Sequence, residues 1–231
     1  MNCKIAEFNV IIKNRGGFLG RLCEKYVGDF SSPDFTVAVT DDDLLNEPNP
    51  SPSKAYLESI AACRKLAHML PAKDAFLLHA ATFETKGHGI AFLAKSGTGK
   101  STHMLLWKKL FGDALRVING DKPIVRLKDD TPFAYGTPWC GKEGFSENRG
   151  VPLTDICFIV RSDKNETVPL SPDEAVNRLL SQIIIPSGSE NILKLTELLD
   201  KTIKKCRLWE IRCNTDLESA EISSKKILEV K

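Results

Sequence analysis

The sequence has no C-x-x-C pair. Its seven cysteines, at positions 3, 23, 63, 140, 157, 206 and 213, form an odd set with no metal-type spacing to the four histidines, so neither a disulfide framework nor a zinc centre is expected. It has no apolar run long enough to span a membrane, and residues 1–7 lack the apolar stretch of an export signal. Reduced cysteines without such a signal read as a cytoplasmic protein with no membrane partner. Charge of one sign is also missing: 32 Lys and Arg stand against 30 Asp and Glu, a formal +2, and the basic residues are scattered rather than blocked. A polyanion groove needs such a block, so nucleic acid is not an expected partner. Repeats and low-complexity segments are absent as well. What is left is an ordinary globular composition: 231 residues, 42% apolar, are enough to bury a substantial core as a single domain, 1–231.

One stretch organises the chain. Ile90-Ala91-Phe92-Leu93 is a buried strand, residues 94–102 (Ala-Lys-Ser-Gly-Thr-Gly-Lys-Ser-Thr) follow, and a helical apolar pattern begins at once with Met104, Leu105 and Trp107. Strand, glycine-rich turn and helix in that order make a phosphate loop. Gly97 and Gly99 let the backbone curl its N–H groups around an anion, and the helix adds the positive end of its dipole. Ser96, Gly97, Thr98, Gly99, Lys100, Ser101 and Thr102 are thus the expected nucleotide-binding residues, with Lys100 reaching the terminal phosphates and the Ser101 hydroxyl holding Mg²⁺. The first glycine of the general pattern is replaced by Ala94, which is tolerable if φ there is negative.

The N-terminal segment, 1–50, reads as paired strands: Phe8, Val10 and Ile12 alternate up to a turn at 14–17, and Phe35, Val37 and Val39 alternate after Pro33. Residues 41–53, three aspartates followed by three prolines, read as an exposed loop. A helical stripe at Leu57, Ile60, Cys63, Ala67 and Leu70 ends at Pro71. Residues 75–83 read as one apolar strand bearing His79, which forms a hairpin with the strand that feeds the loop. Residues 115–118 form another strand, ending in Asn119-Gly120-Asp121-Lys122-Pro123. An acid at the carboxyl end of a strand in a phosphate-loop sheet is where a metal-binding or base carboxylate belongs, so Asp121 is the leading candidate, with a simple turn aspartate as the alternative.

Strands are expected near 124–127 and 133–135, and then a glycine-rich stretch, 136–144, too irregular for a helix or strand. In and after it, Lys142 and Arg149 are either clamps for phosphate or an acidic acceptor, or plain surface charges. Residues 151–161 read as a central strand, closing a nucleotide-binding core over 76–161. In the C-terminal α/β scaffold, 171–231, Ser171-Pro172-Asp173-Glu174 is a helix start with a capping box, and its stripe runs on to Ile184. A second helix over about 190–204, a strand through Trp209, Ile211 and Cys213, and a last helix capped by Thr215 and Glu218 complete it.

His79, the Ser96–Ser101 loop and Gly120-Asp121-Lys122 together resemble the active-site set of HPr kinase/phosphorylase and its relatives, which share a nucleotide fold with ATP-dependent PEP carboxykinase. A closer likeness is to HPr-kinase-like bacterial proteins with S-G-T-G-K-S-T-H, D-K-P and G-T-P-W-x-G-K, all present here at 96–103, 121–123 and 136–142. The resemblance implies an α/β fold, a PEP carboxykinase/HPr kinase-like phosphate-loop core with a mixed β-sheet flanked by helices. It implies a kinase that uses ATP (or another NTP) and Mg²⁺ to phosphorylate a serine-like hydroxyl of a protein, peptide or small molecule, and it raises a homo-oligomer as an expectation. Lys100, Asp121 and His79 would be catalytic, with Asp121 as base or, beside Ser101, as metal partner. The relatives carry two adjacent aspartates where this chain has Gly120-Asp121, so a nucleotide-binding regulatory or scaffold protein without useful turnover is the alternative. Arg149-Gly150 echoes an Arg-Gly signature of the HPr kinases only weakly, and PEP carboxykinase activity would need a longer chain and further metal and carboxylate ligands.

Overall fold

The computed structural model describes residues 1–13, 17–48, 51 and 53–229. The chain opens with a hairpin of β1 (Asn2–Ile5) and β2 (Phe8–Lys13), whose turn holds Ala6 and Glu7 at positive φ. The turn expected at 14–17 falls outside the described residues except for Gly17, which begins α1 (Gly17–Leu22). β3 (Phe35–Ala38) pairs in parallel with β2. The aspartate run is helical rather than an open loop: α2 (Asp41–Leu45) starts at Thr40, whose hydroxyl accepts from the Asp43 N–H while the Asp43 carboxylate takes the Thr40 N–H. Three acids in a first turn also complement the helix dipole, which is why the sequence forms a helix there. Of the prolines that follow, positions 50 and 52 lie outside the described residues.

α3 (Lys54–Met69) comes next, then a single tight turn through Pro71. The strand expected over 75–83 is two strands in two sheets, β4 (Ala75–Leu77) and β5 (Ala81–Thr85). The reason lies in the backbone partners between them: Leu78 and Ala80 donate to the carbonyls of Pro123 and Asp121, and His79 donates to Gln182, so the chain leaves one ladder to join another. β6 (His88–Leu93), α4 (Lys100–Phe111), β7 (Leu115–Asn119), β8 (Ile124–Lys128) and β9 (Thr131–Tyr135) follow the expected pattern. The long strand over 151–161 also divides, into β10 (Gly150–Pro152) against β9 and β11 (Asp155–Arg161) in the main sheet.

After β12 (Glu166–Pro169), the capping box forms as read, but α5 (Pro172–Leu180) stops short because Ile183 is drawn into a β-bridge with Leu78. α6 (Ser189–Lys205) and β13 (Arg207–Cys213) match the reading. α7 (Leu217–Glu229) begins one residue later than a Thr215 cap requires, and the Glu218 carboxylate accepts from Asn165 instead.

The result is a mixed α/β protein. The main sheet has six strands in the order β12-β13-β11-β6-β5-β7, beside a four-stranded sheet β10-β9-β8-β4 and the three-stranded sheet β1-β2-β3. Helices cover both faces of the main sheet, which is why 90–93 is apolar without alternation. Ala91 and Leu93 pack with α5 and α6, whereas Ile90 and Phe92 pack with α4 and α7. The Phe92 ring lies 4.8 Å from Phe83 and 5.5 Å from Trp107. Such buried aromatic pairs add about 0.5–1.5 kcal/mol each beyond area burial, so α4 and the strand before it form a firm base for the loop between them.

β6, β11 and β13 run parallel, and β7 runs the same way because both it and β6 are antiparallel to β5. The carboxyl ends of these four strands, and the start of β5, therefore share one edge of the sheet. In open α/β sheets that edge is where ligands bind.

Candidate functional site

The glycine loop leaves β6 and enters α4. Gly97 and Gly99 hold φ of 77° and 123°, and a Cβ at either would meet nothing within 4 Å, so both face open space. Ala94 stays out of the positive-φ region, which is the condition under which its missing glycine costs nothing. Gly99 is the N-cap of α4 and offers no side-chain cap, leaving first-turn N–H groups directed outward. This is the physical form of an anion cradle, and a phosphate chain fits it.

Lys100 reaches from the first turn of α4 to Asp121, with Nζ 3.4 Å from Oδ1. Burial lowers the Lys100 pKa, opposed by the Asp121 carboxylate. His79 Nε2 lies 3.1 Å from the same oxygen, and Lys122 Nζ lies 3.6 Å from Oδ2. Burial alone would raise the Asp121 carboxyl, but the His79 hydrogen bond and the charges of Lys122 and Lys100 outweigh it and hold the group well below the ordinary carboxylate range. Asp121 is therefore an anion at every working pH.

The turn that presents Asp121 is built by its neighbour. Asn119 Oδ1 accepts from the N–H groups of Asp121 and Lys122 at 2.9 and 2.7 Å, while its Nδ2 donates to the Thr137 carbonyl. Thr137 Oγ1 donates to the Lys122 carbonyl, and Trp139 Nε1 to the Ser59 carbonyl on α3. The G-T-P-W stretch thus clamps the Asp121 turn. The clamp also requires a glycine at 120: a Cβ there would stand 2.6 Å from the Cys140 carbonyl oxygen, closer than real contacts allow.

His79 stands between β4 and β5, not on a strand. Its Nδ1 is 3.1 Å from Gln182 Oε1. Ser181 Oγ donates to the Arg178 carbonyl and accepts from Gln182 Nε2, which turns the amide oxygen toward the ring. Nδ1 therefore carries hydrogen, and Nε2 is the nitrogen that shares or exchanges a proton at Asp121. Gln182 was not foreseen; no local pattern marks a residue so distant in sequence. Asn119 was legible in principle as the Asx side chain of a turn.

Ser96 and Thr98 are in the loop; Ser101 and Thr102 follow Lys100 in the first turn of α4. His103, the last residue of the S-G-T-G-K-S-T-H motif, is buried against Ser223 of α7, and burial pushes its pKa down to about 4. Lys142 sits on the exposed turn after Cys140, next to Gly141, whose Cβ would lie 3.2 Å from the Asp121 Cβ. Arg149 is not brought to this edge: its guanidinium is 3.3 Å from Glu84, several residues along β5 from the loop. Among the described residues no cluster of three or more His, Cys, Asp or Glu forms a metal cage. A Mg²⁺ ion takes only one or two protein ligands and completes its shell with water and phosphate, so it needs no such cage, and Asp121, 29% exposed, has a side open to one. Also among the described residues, no helix is long and apolar enough to cross a membrane.

No family model matches the chain, and no curated protein matches it. Among solved structures it is similar to the Hpr(Ser) kinase/phosphatase from Coxiella burnetii, at 12% identity and a TM-score of 0.36, over 66% of this chain and 97% of that one. The likeness is a distant one, and the functional reading rests on the residues themselves.

Proposed function

We propose that the chain binds ATP or another NTP with Mg²⁺ on the 94–102 loop and transfers the terminal phosphoryl group to a serine-like hydroxyl of a protein, peptide or small molecule. The observation that carries this reading is the convergence of Lys100 and His79 on one oxygen of Asp121, at 3.4 and 3.1 Å, beside an uncapped helix start. Phosphoryl transfer asks a protein chiefly for positioning and for cancellation of charge, and these are the groups that supply both.

The single carboxylate divides the work. Asp121 and Ser101 would hold the cation, whose chemistry when bound is to draw charge from phosphate oxygens. Asp121 is held too acidic to store a proton, and without ligand its carboxylate accepts from His79 Nε2; His79 would take a proton from the acceptor only after that proton has left and the cation has replaced the imidazole at Asp121, with Gln182 keeping the ring in register. Lys142, exposed on the turn beside Asp121, would meet an acidic acceptor. Lys100 would stabilise the phosphoryl group in flight.

A second reading, a nucleotide-binding regulatory protein, is favoured by Gly120, because the second carboxylate that the resembling kinases carry has no room here. Labelled γ-phosphate separates the two. Transfer from Mg-ATP to a serine-containing acceptor, lost in Asp121→Asn and Lys100→Ala, supports the kinase. Tight ATP binding with no ADP released for any acceptor supports the regulator.

A further inference from the structure

The sheet order places the reacting groups on one flank of the loop. Asp121 follows β7 and His79 precedes β5, both to one side of β6 in the order β11-β6-β5-β7. On the other flank, beyond the ends of β11 and β13, lies a cavity of about 460 Å³, within the ~300–1,000 Å³ of small-molecule sites. Ile159 and Cys213, both buried, line it with apolar surface; Ser162, Asp163, Asn214 and Thr215 contribute polar groups. Thr102 and His103 of α4 and the backbone of Gly97, Thr98 and Gly99 close it, so the loop itself is one wall. Arg161, at the end of β11, donates to the carbonyls of Gly97 and Thr98 and fastens the loop to this wall. A larger hollow, about 580 Å³ between α2 and α3, has mostly apolar walls and none of the candidate site's residues.

We propose that this cavity receives the base and ribose of the nucleotide, a reading that rests on the phosphate-loop assignment above. A phosphate chain whose far end meets Lys100 and Asp121 must run across the loop and leave by way of Thr102, and that path ends in the cavity. The apolar lining suits the faces of a base, and the polar rim suits its edges and the ribose hydroxyls. Asp163, exposed at the rim, is anionic and disfavours the reverse placement, with phosphates in the cavity.

Two variants and two ligands test it: Ile159→Trp fills the apolar lining, and Thr215→Trp, at an exposed position, obstructs the rim with little risk to folding. Calorimetry is run with Mg-ATP and with Mg-tripolyphosphate, after circular dichroism confirms the fold. The expected result is that wild type binds ATP more tightly than tripolyphosphate, and that at least one variant weakens ATP tenfold or more while tripolyphosphate changes less than twofold. Equal affinity of wild type for the two ligands, or variants that leave ATP unchanged or weaken both ligands alike, would overturn the cavity assignment and leave the loop assignment standing. Failure of wild type to bind either ligand would overturn the loop assignment, and this one with it.

Discussion

The two ends of the main sheet carry nearly the same side chains and put them to different use. At the amino ends of β6, β11 and β13, Asp155 is surrounded by His88, Arg207, Trp209 and Thr154; at the carboxyl end, Asp121 is surrounded by His79, Lys100 and Lys122. Asp155 is 0% exposed and Asp121 29%. Asp155 accepts from Trp209 Nε1 at 2.8 Å, Thr154 Oγ1 at 2.7 Å and Arg207 at 2.9 Å, which fills both oxygens. Arg207 also donates to His88 Nδ1, so that nitrogen is an acceptor and its 3.2 Å approach to Asp155 is bridged by the guanidinium. Asp121 instead faces two ammonium groups at 3.4 and 3.6 Å and one imidazole at 3.1 Å, with solvent on the remaining side. A saturated carboxylate stabilises a fold; an accessible one with unfilled acceptor sites can take a new ligand.

The sharpest way to break this contrast is to neutralise each carboxylate in turn. Asp155→Asn leaves a guanidinium and an indole N–H facing an amide in a closed site, and should cost about 3–5 kcal/mol, a fall of roughly 10 °C in Tm by calorimetry. Asp121→Asn should cost about 1–2 kcal/mol because solvent reaches its partners, yet lower phosphoryl transfer by about 10²–10⁴-fold. Equal losses of Tm would remove the distinction.

Next in size is a pH effect from α4. Burial holds His103 at about 4 when folded, below its ordinary 6.5, so the unfolded chain takes the proton first. Stability is therefore full above pH 6.5 and declines as pH falls toward 4, by roughly 3 kcal/mol in all. Urea unfolding at pH 7, 5.5 and 4.5 should show this slope, and His103→Phe should flatten it. The Asp121 contribution has the same sign but is lost only below the ordinary carboxylate value, near pH 4. The two are separable by window.

Adding a second acid beside Asp121 should fail on steric grounds. Gly120→Asp forces the Cys140 carbonyl aside and is expected to lower stability by about 1–3 kcal/mol without raising turnover; a faster, equally stable variant would show that the G-T-P-W clamp yields. The smallest effect is expected at Gln182. Gln182→Leu removes the acceptor that orients His79 and should reduce kcat about tenfold with KM little changed, while Gln182→Glu, which keeps an acceptor at Nδ1, restores most of it.

Much of this was legible in the sequence, for reasons that are local. The loop and its flanking strand and helix could be read because glycine, lysine and apolar periodicity act over neighbouring residues, and the Ser171 cap for the same reason. The strands at 75–83 and 151–161 misled because their apolar runs are continuous while their hydrogen-bond partners change sheet, and partners are not written locally. The Asp41–Asp43 run reads as exposed loop by its charge, although Thr40 with Asp43 is a capping box. At the candidate site, position and resemblance point to Asp121, His79 and Lys100, which the fold brings together, whereas Gln182 and Arg161 arrive only through tertiary packing. Arg149 carried the right charge but meets Glu84.

The central claim is that the turn before α4 embraces a polyphosphate whose end lies against Lys100 and Asp121. Titrating wild type and Lys100→Ala with Mg-ATP in a calorimeter tests it most directly. Saturable one-to-one binding by wild type, weakened at least tenfold in the variant, is the expected result; no heat with wild type, or equal affinity in both, would contradict it.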